Sequence, residues 1–151
     1  MSQAFDLRAT LATPPMPHRT AFDPKRRLAA VRLTGEIDGD ELVATTTALL
    51  RDAGTGPLDI VWDATYITGL HLVPGDLERI LEVKRHRPAT SAEVRHDVLV
   101  TRRTLDVLIA RLFVLLARRQ GMYVTVCRST EEAGKVLGVS DLPEEEPASV
   151  G

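Results

Sequence analysis

The chain has a single cysteine, Cys127, among 151 residues, which excludes an internal disulfide and every multi-cysteine metal framework. A reducing cytoplasm is the expected location. Histidine is sparse too: His18, His71, His86 and His96 stand at neither HxH nor HxxxH spacing, so no metal site and no cofactor are expected. Aromatic residues make up 4% of the chain, too few for the basic, aromatic-studded groove that binds single-stranded nucleic acid. An excess of one charge is also missing. A net charge of -2 and a pI near 6.1 give no general attraction to nucleic acid, which drops out as a partner.

The longest apolar stretch, Leu105 to Ala117, is interrupted by Arg111 and is too short to span a bilayer, so no transmembrane segment is expected. The first residues lack the apolar core of a signal peptide. There is no glycine-rich phosphate loop, because Gly54 and Gly56 lie between a helix and the following strand, the wrong end for cradling a phosphate.

What is present fits one ordinary domain: 44% hydrophobic and 26% charged residues suffice for a single core. Residues 1–19, broken by Thr13, Pro14, Pro15 and Pro17, read as an N-terminal arm or irregular edge strand. Residues 20–139 form an α/β domain, and residues 140–151 an acidic tail expected to be disordered.

Within the domain, His18 to Phe22 and Leu28 to Thr34 make a hairpin around the turn Asp23, Pro24, Lys25. Asp38 with Glu41 has capping-box spacing and starts a helix whose apolar stripe is Leu42, Val43, Thr46, Leu49, Leu50 and Ala53, ended by Gly54 and Gly56. Leu58 to Trp62 reads as a short central strand with Asp63 at its exit. Pro74 opens a helix carrying Leu77, Ile80 and Leu81 inward, and Lys84, Arg85, His86 and Arg87 read as its solvated last turn, where cations complement the helix dipole. Arg95, His96 and Asp97 form a charged lead into a strand at Val98 to Val100. Thr104 to Gln120 is the longest helix, with Leu105, Leu108, Ile109, Leu112 and Leu116 on one face. Met122 to Val126 is the last strand, and Ser129 with Glu132 caps a final helix through Leu137.

The predicted fold is therefore α/β: one mixed β-sheet, an N-terminal antiparallel hairpin followed by β-α-β-α-β units, and about four helices. LTGEIDGDEL opening the first helix, LDIVWDAT ending the central strand and VTVCRSTEEAGKVLG closing the domain resemble the STAS-like family over roughly Thr20 to Val139. That family includes the bacterial anti-sigma-factor antagonists, and its stand-alone relatives also resemble the CRAL-TRIO lipid-binding fold. The resemblance implies a non-enzymatic regulatory or protein-interaction module. It also implies a phosphorylatable serine after the central strand, but the region here reads DATYITGLHLVPGD and has none; Thr68 and Gly69 are the nearest imitation.

Ligands of open α/β sheets bind outside the carboxyl ends of the strands. That edge would gather Asp63, Thr65, Thr101, Arg102, Arg103 and Arg128, with helix N-termini at Thr104 and Ser129 offering amides to an anion. An acid–base pair of Glu36 or Asp38 with Asp63 and a reactive Cys127 are weaker options, since capping and strand ends account for the carboxylates and a small buried residue for the cysteine. On the long helix, Phe113 and Leu115 broaden the apolar face and Val107 lies nearly opposite, a surplus that something should cover. A second copy is one cover and makes a homodimer the expected state; a small lipophilic ligand between helix and sheet is another, and burial by neighbouring helices or the N-terminal arm is a third. The rival to a regulatory module is thus a carrier or sensor of a lipophilic or anionic small molecule.

Overall fold

The chain turns first on Asp23. Its carboxylate accepts the backbone amides of Lys25 and Arg26 at 3.0 and 3.3 Å, a side-chain-made turn that returns β2 (Leu28–Asp38) antiparallel to β1 (His18–Asp23). In this computed structural model, which describes residues 18–144, there follow α1 (Gly39–Ala53), β3 (Gly56–His71), α2 (Pro74–Arg85), β4 (Ala92–Val100), α3 (Thr104–Arg119), β5 (Val124–Cys127) and α4 (Thr130–Leu137).

The helix ends are set by the residues the sequence marks for it. Asp38 accepts the Glu41 amide at 2.9 Å to cap α1, and Ser129 accepts the Glu132 amide at 3.1 Å to cap α4. Gly54, at φ 72°, releases the chain from α1. The Arg27 guanidinium then ties that end down, donating to the carbonyls of Ala53, Gly54 and Pro57 at 2.6, 2.8 and 3.0 Å.

The strands run in the order β1-β2-β3-β4-β5, with β2 to β5 parallel. Each parallel step needs a crossover, and α1, α2 and α3 supply these on one face of the sheet while α4 covers the other. Ala29, Val31, Leu33, Ile60 and Trp62 therefore pack toward the three-helix layer, against Leu49, Leu50 and Ala53 of α1, while Leu77, Ile80 and Leu81 of α2 and Phe113 of α3 form a second cluster. Val61, Val98, Val100 and Cys127 pack with Ala133 of α4. This is the mixed sheet with an N-terminal hairpin expected from the sequence, with four helices among the described residues.

Four local expectations change. The central strand does not end at Trp62. β3 continues to His71, because β2 accompanies it along that length and a bulge between Arg32 and Thr34 absorbs the mismatch. β4 starts at Ala92 and takes the charged residues Arg95, His96 and Asp97 into the ladder. α3 is rotated about its axis relative to the leucine-rich face: Asp106, Val107, Ala110, Phe113 and Ala117 are buried, while Leu108, Leu112 and Leu115 are exposed. Two small alanines let the helix approach closely and one phenylalanine fills the space beside α2, which a face of leucines would overpack. Of the three residues assigned to an apolar surface, Leu115 lies outside and Val107 and Phe113 lie inside.

The arm assigned to residues 1–19 falls mostly outside the described residues, and its last two, His18 and Arg19, belong to β1. The tail expected from residue 140 is anchored at its start, with Leu142 packed beside Val139 and the Asp141 carbonyl accepting from Arg26 at 2.8 Å.

Candidate functional site

The carboxyl edge of the sheet forms as expected for part of the predicted set. Asp63, Val100 and Cys127 lie side by side across β3, β4 and β5. The Thr101 amide then donates to the Cys127 carbonyl at 3.0 Å, and the Arg102 guanidinium to the Arg128 carbonyl at 3.1 Å. Thr101, Arg102 and Arg128 are thus brought together. Asp63 and Thr65 are not part of that group. The amide and hydroxyl of Thr65 both donate to one Asp63 oxygen, at 3.0 and 2.6 Å, and Asp63 lines a groove beside α4 on the opposite face from Thr101. Arg103 turns to Asp106, 3.5 Å away.

The other chemical candidates separate as well. Asp63 is level with Arg32, whereas Glu36 and Asp38 are level with Gly69 and His71, roughly 13 and 20 Å further along β2 at about 3.3 Å per residue. No acid–base pair forms. The Cys127 thiol is buried, and burial first and the Glu132 charge second push its pKa up, the reverse of what a nucleophile needs.

The three-helix face holds a pocket of about 90 Å³ between β2, β3, β4 and all three helices. Its wall is almost entirely apolar, drawn from residues such as Leu42, Leu70, Leu77, Leu99, Ile109 and Phe113. Lys84 reaches in from α2 and pairs with Asp97 of β4 at 2.5 Å, both side chains almost fully buried. The indole N–H of Trp62 donates to the second Asp97 oxygen at 2.9 Å, and the Phe113 ring centroid lies 4.9 Å from the ammonium. Each Asp97 oxygen thus has one donor. Thr101 and Asp106 also line the pocket, and Thr101 Oγ1 and Asp106 Oδ2 are buried without a hydrogen-bond partner in the protein.

Sequence reasoning placed Lys84 in a solvated helix end and Asp97 in a strand lead, and both are core residues. The signal was there. Lys84 follows Leu77, Ile80 and Leu81 at helical spacing, and Asp97 shares its strand face with Leu99.

Outside the same helix layer, Leu108, Leu112 and Leu115 stand in line on α3 beside the exposed Arg111, Arg118 and Arg119. On the opposite sheet face Arg32 lies 4.6 Å above the Tyr66 ring in the groove beside α4. No helix among the described residues is long and apolar enough to cross a membrane, and none of their His, Cys, Asp and Glu side chains cluster as metal ligands.

Solved structures similar in fold include the following two. One is an uncharacterised protein of the DUF3478 family with a SpoIIAA-like fold from Shewanella loihica PV-4, with a TM-score of 0.49 and 15% identity over 73% of this chain and 83% of its own. The other is the anti-sigma factor antagonist SpoIIAA in its unphosphorylated form, with a TM-score of 0.46 and 15% identity over 81% of this chain and 99% of its own. At that identity the likeness assigns no residue a role. No protein-family model matches the chain, and no curated protein does.

Proposed function

We propose that the domain is a non-enzymatic regulatory module of STAS-like type that docks a polypeptide on the outward face of α3, the first such partner being a second copy of this chain. One observation carries the reading. Leu108, Leu112 and Leu115 are 57%, 39% and 57% exposed, and their spacing of four and three residues lines them up on one side of the helix. Single exposed leucines are ordinary, but an aligned row on the solvent side of an amphipathic helix reverses the usual pattern. Two α3 helices meeting antiparallel about a two-fold axis would bury each row against the other. The long stems of Arg111 and Arg119 can extend that contact while their heads stay in water.

Binding rather than chemistry is supported by the buried Cys127 and by the separation of Asp63 from Glu36 and Asp38. A switch by phosphoserine after the central strand has no serine to act on, and Thr68 lies within β3.

Sedimentation equilibrium across the micromolar range tests the reading. The wild type should be a dimer, and Leu112→Glu a folded monomer whose unfolding midpoint, unlike that of the wild type, does not depend on protein concentration. A monomeric wild type, or a dimer indifferent to Leu112→Glu and Leu115→Glu, would remove it.

A further inference from the structure

We infer that the pocket beneath α3 is a binding site for a small neutral molecule with an apolar body and one hydroxyl or amide hydrogen-bond donor. It goes beyond the docking reading and does not depend on it, since the pocket lies against the inner side of the helix and the leucine row on the outer.

The argument begins with two oxygen atoms. Thr101 and Asp106 are each only 3% exposed, and neither Thr101 Oγ1 nor Asp106 Oδ2 has a hydrogen-bond partner. Buried polar atoms are nearly always paired, because an unpaired one forfeits its hydration without return. A place in the first turn of α3 suits the Asp106 charge, but does not supply its oxygen with a donor. Arg103 Nε, at 3.5 Å, attracts it without completing a hydrogen bond. Beside them in the same pocket Lys84 spends one N–H on Asp97, which also takes the Trp62 N–H, and its ammonium otherwise faces the Trp62 and Phe113 rings. The pocket-lining polar atoms with no hydrogen-bond partner at all are thus those of Thr101 and Asp106, and what Asp106 lacks is a donor.

Charge decides the class of ligand. Lys84 and Asp97 cancel, and Arg103 and Asp106 cancel. A ligand carboxylate would place a second anion beside Asp106, and an ammonium would add a cation to Lys84 and Arg103. A neutral hydroxyl or amide meets the acceptors and leaves the balance intact. Size limits the rest: about 90 Å³ is less than the roughly 150 Å³ cavity that admits the six carbons of benzene, so about four non-hydrogen atoms fit inside and a further one lies at the open mouth. Leu99 supports access, since it sits on an interior strand under the helix layer and is still only partly buried.

The protein carries one tryptophan, Trp62, and it lines this pocket, so its ring N–H resonance reports occupancy. The probes are 1-butanol, methyl propyl ether of the same size without a donor, butanoate and 1-butylamine. The expected result is a saturable shift with 1-butanol and affinity at least tenfold weaker for the other three. Ala110→Leu, which fills the pocket, should abolish the response. Thr101→Val, isosteric and without the hydroxyl, should reduce the preference for butanol over the ether even if the filling variant does not fold. No saturation with any probe, an ether that binds as well as the alcohol, or a tighter butanoate would overturn the inference.

Discussion

Lys84 and Asp97 come from different elements, a helix and the strand after it, and meet at 2.5 Å inside the core with the Trp62 indole on the far oxygen. The pair fixes α2 over β4 at one height, because only that height closes both contacts. Removing one member leaves the other as an isolated buried charge. Lys84→Met should therefore destabilise the protein by about 3–5 kcal/mol, and Lys84→Met with Asp97→Asn should recover at least half of that loss. Urea unfolding midpoints of the two variants check this, and equal losses would show that the charge itself does not matter.

Gly39 begins α1 where the Asp76 carboxylate of α2 crosses it, and a β-carbon there would collide with that carboxylate. Asp76 is not free to move, since it accepts the Val73 amide at 3.0 Å in capping α2. Gly39→Ala should cost about 1–3 kcal/mol through displacement of the two helices. The same urea measurement reads it, and an alanine that stabilised the helix start would contradict the packing.

His18 is partly buried on β1, its Nδ1 3.2 Å from Thr45 Oγ1. Burial lowers its pKa below the ordinary 6.5, with the Glu41 charge opposing. A base with a lowered folded pKa binds fewer protons folded than unfolded between the two values. Its contribution is thus complete above about pH 6.5 and is lost as the pH falls through that window. The stability difference between wild type and His18→Gln should shrink on going from pH 7.5 to 5.5. A difference independent of pH would mean that the ring is not desolvated.

Much of this architecture is legible in the residues. Asp23 makes the hairpin turn, Asp38 and Ser129 cap their helices, and Gly54 ends α1, each through a local interaction that the spacing reveals. The features that were not legible depend on partners distant in sequence. β3 runs on past Asp63 only because β2 stays beside it. Lys84 is buried only because Asp97 waits opposite, and a lysine in a run of cations otherwise reads as solvent-facing. α3 chooses its alanine and phenylalanine side because the space against α2 and the sheet is narrow, a fact about fit that a count of leucines misses. At the sheet's carboxyl edge, the nearness of Thr101, Arg102 and Arg128 is legible from their place after the strands, while the face each side chain takes, which separates Asp63 from Thr101, comes from the register.

The central claim is that the outward leucines of α3 meet their counterparts in a second copy. Because Cys127 is the only cysteine and is buried, Leu112→Cys supplies a single accessible thiol near the proposed two-fold axis, and Val136→Cys an exposed control on α4. Under mild oxidation the account predicts rapid disulfide-linked dimer from Leu112→Cys and little from Val136→Cys. Equal cross-linking of the two, or none from Leu112→Cys, would contradict it.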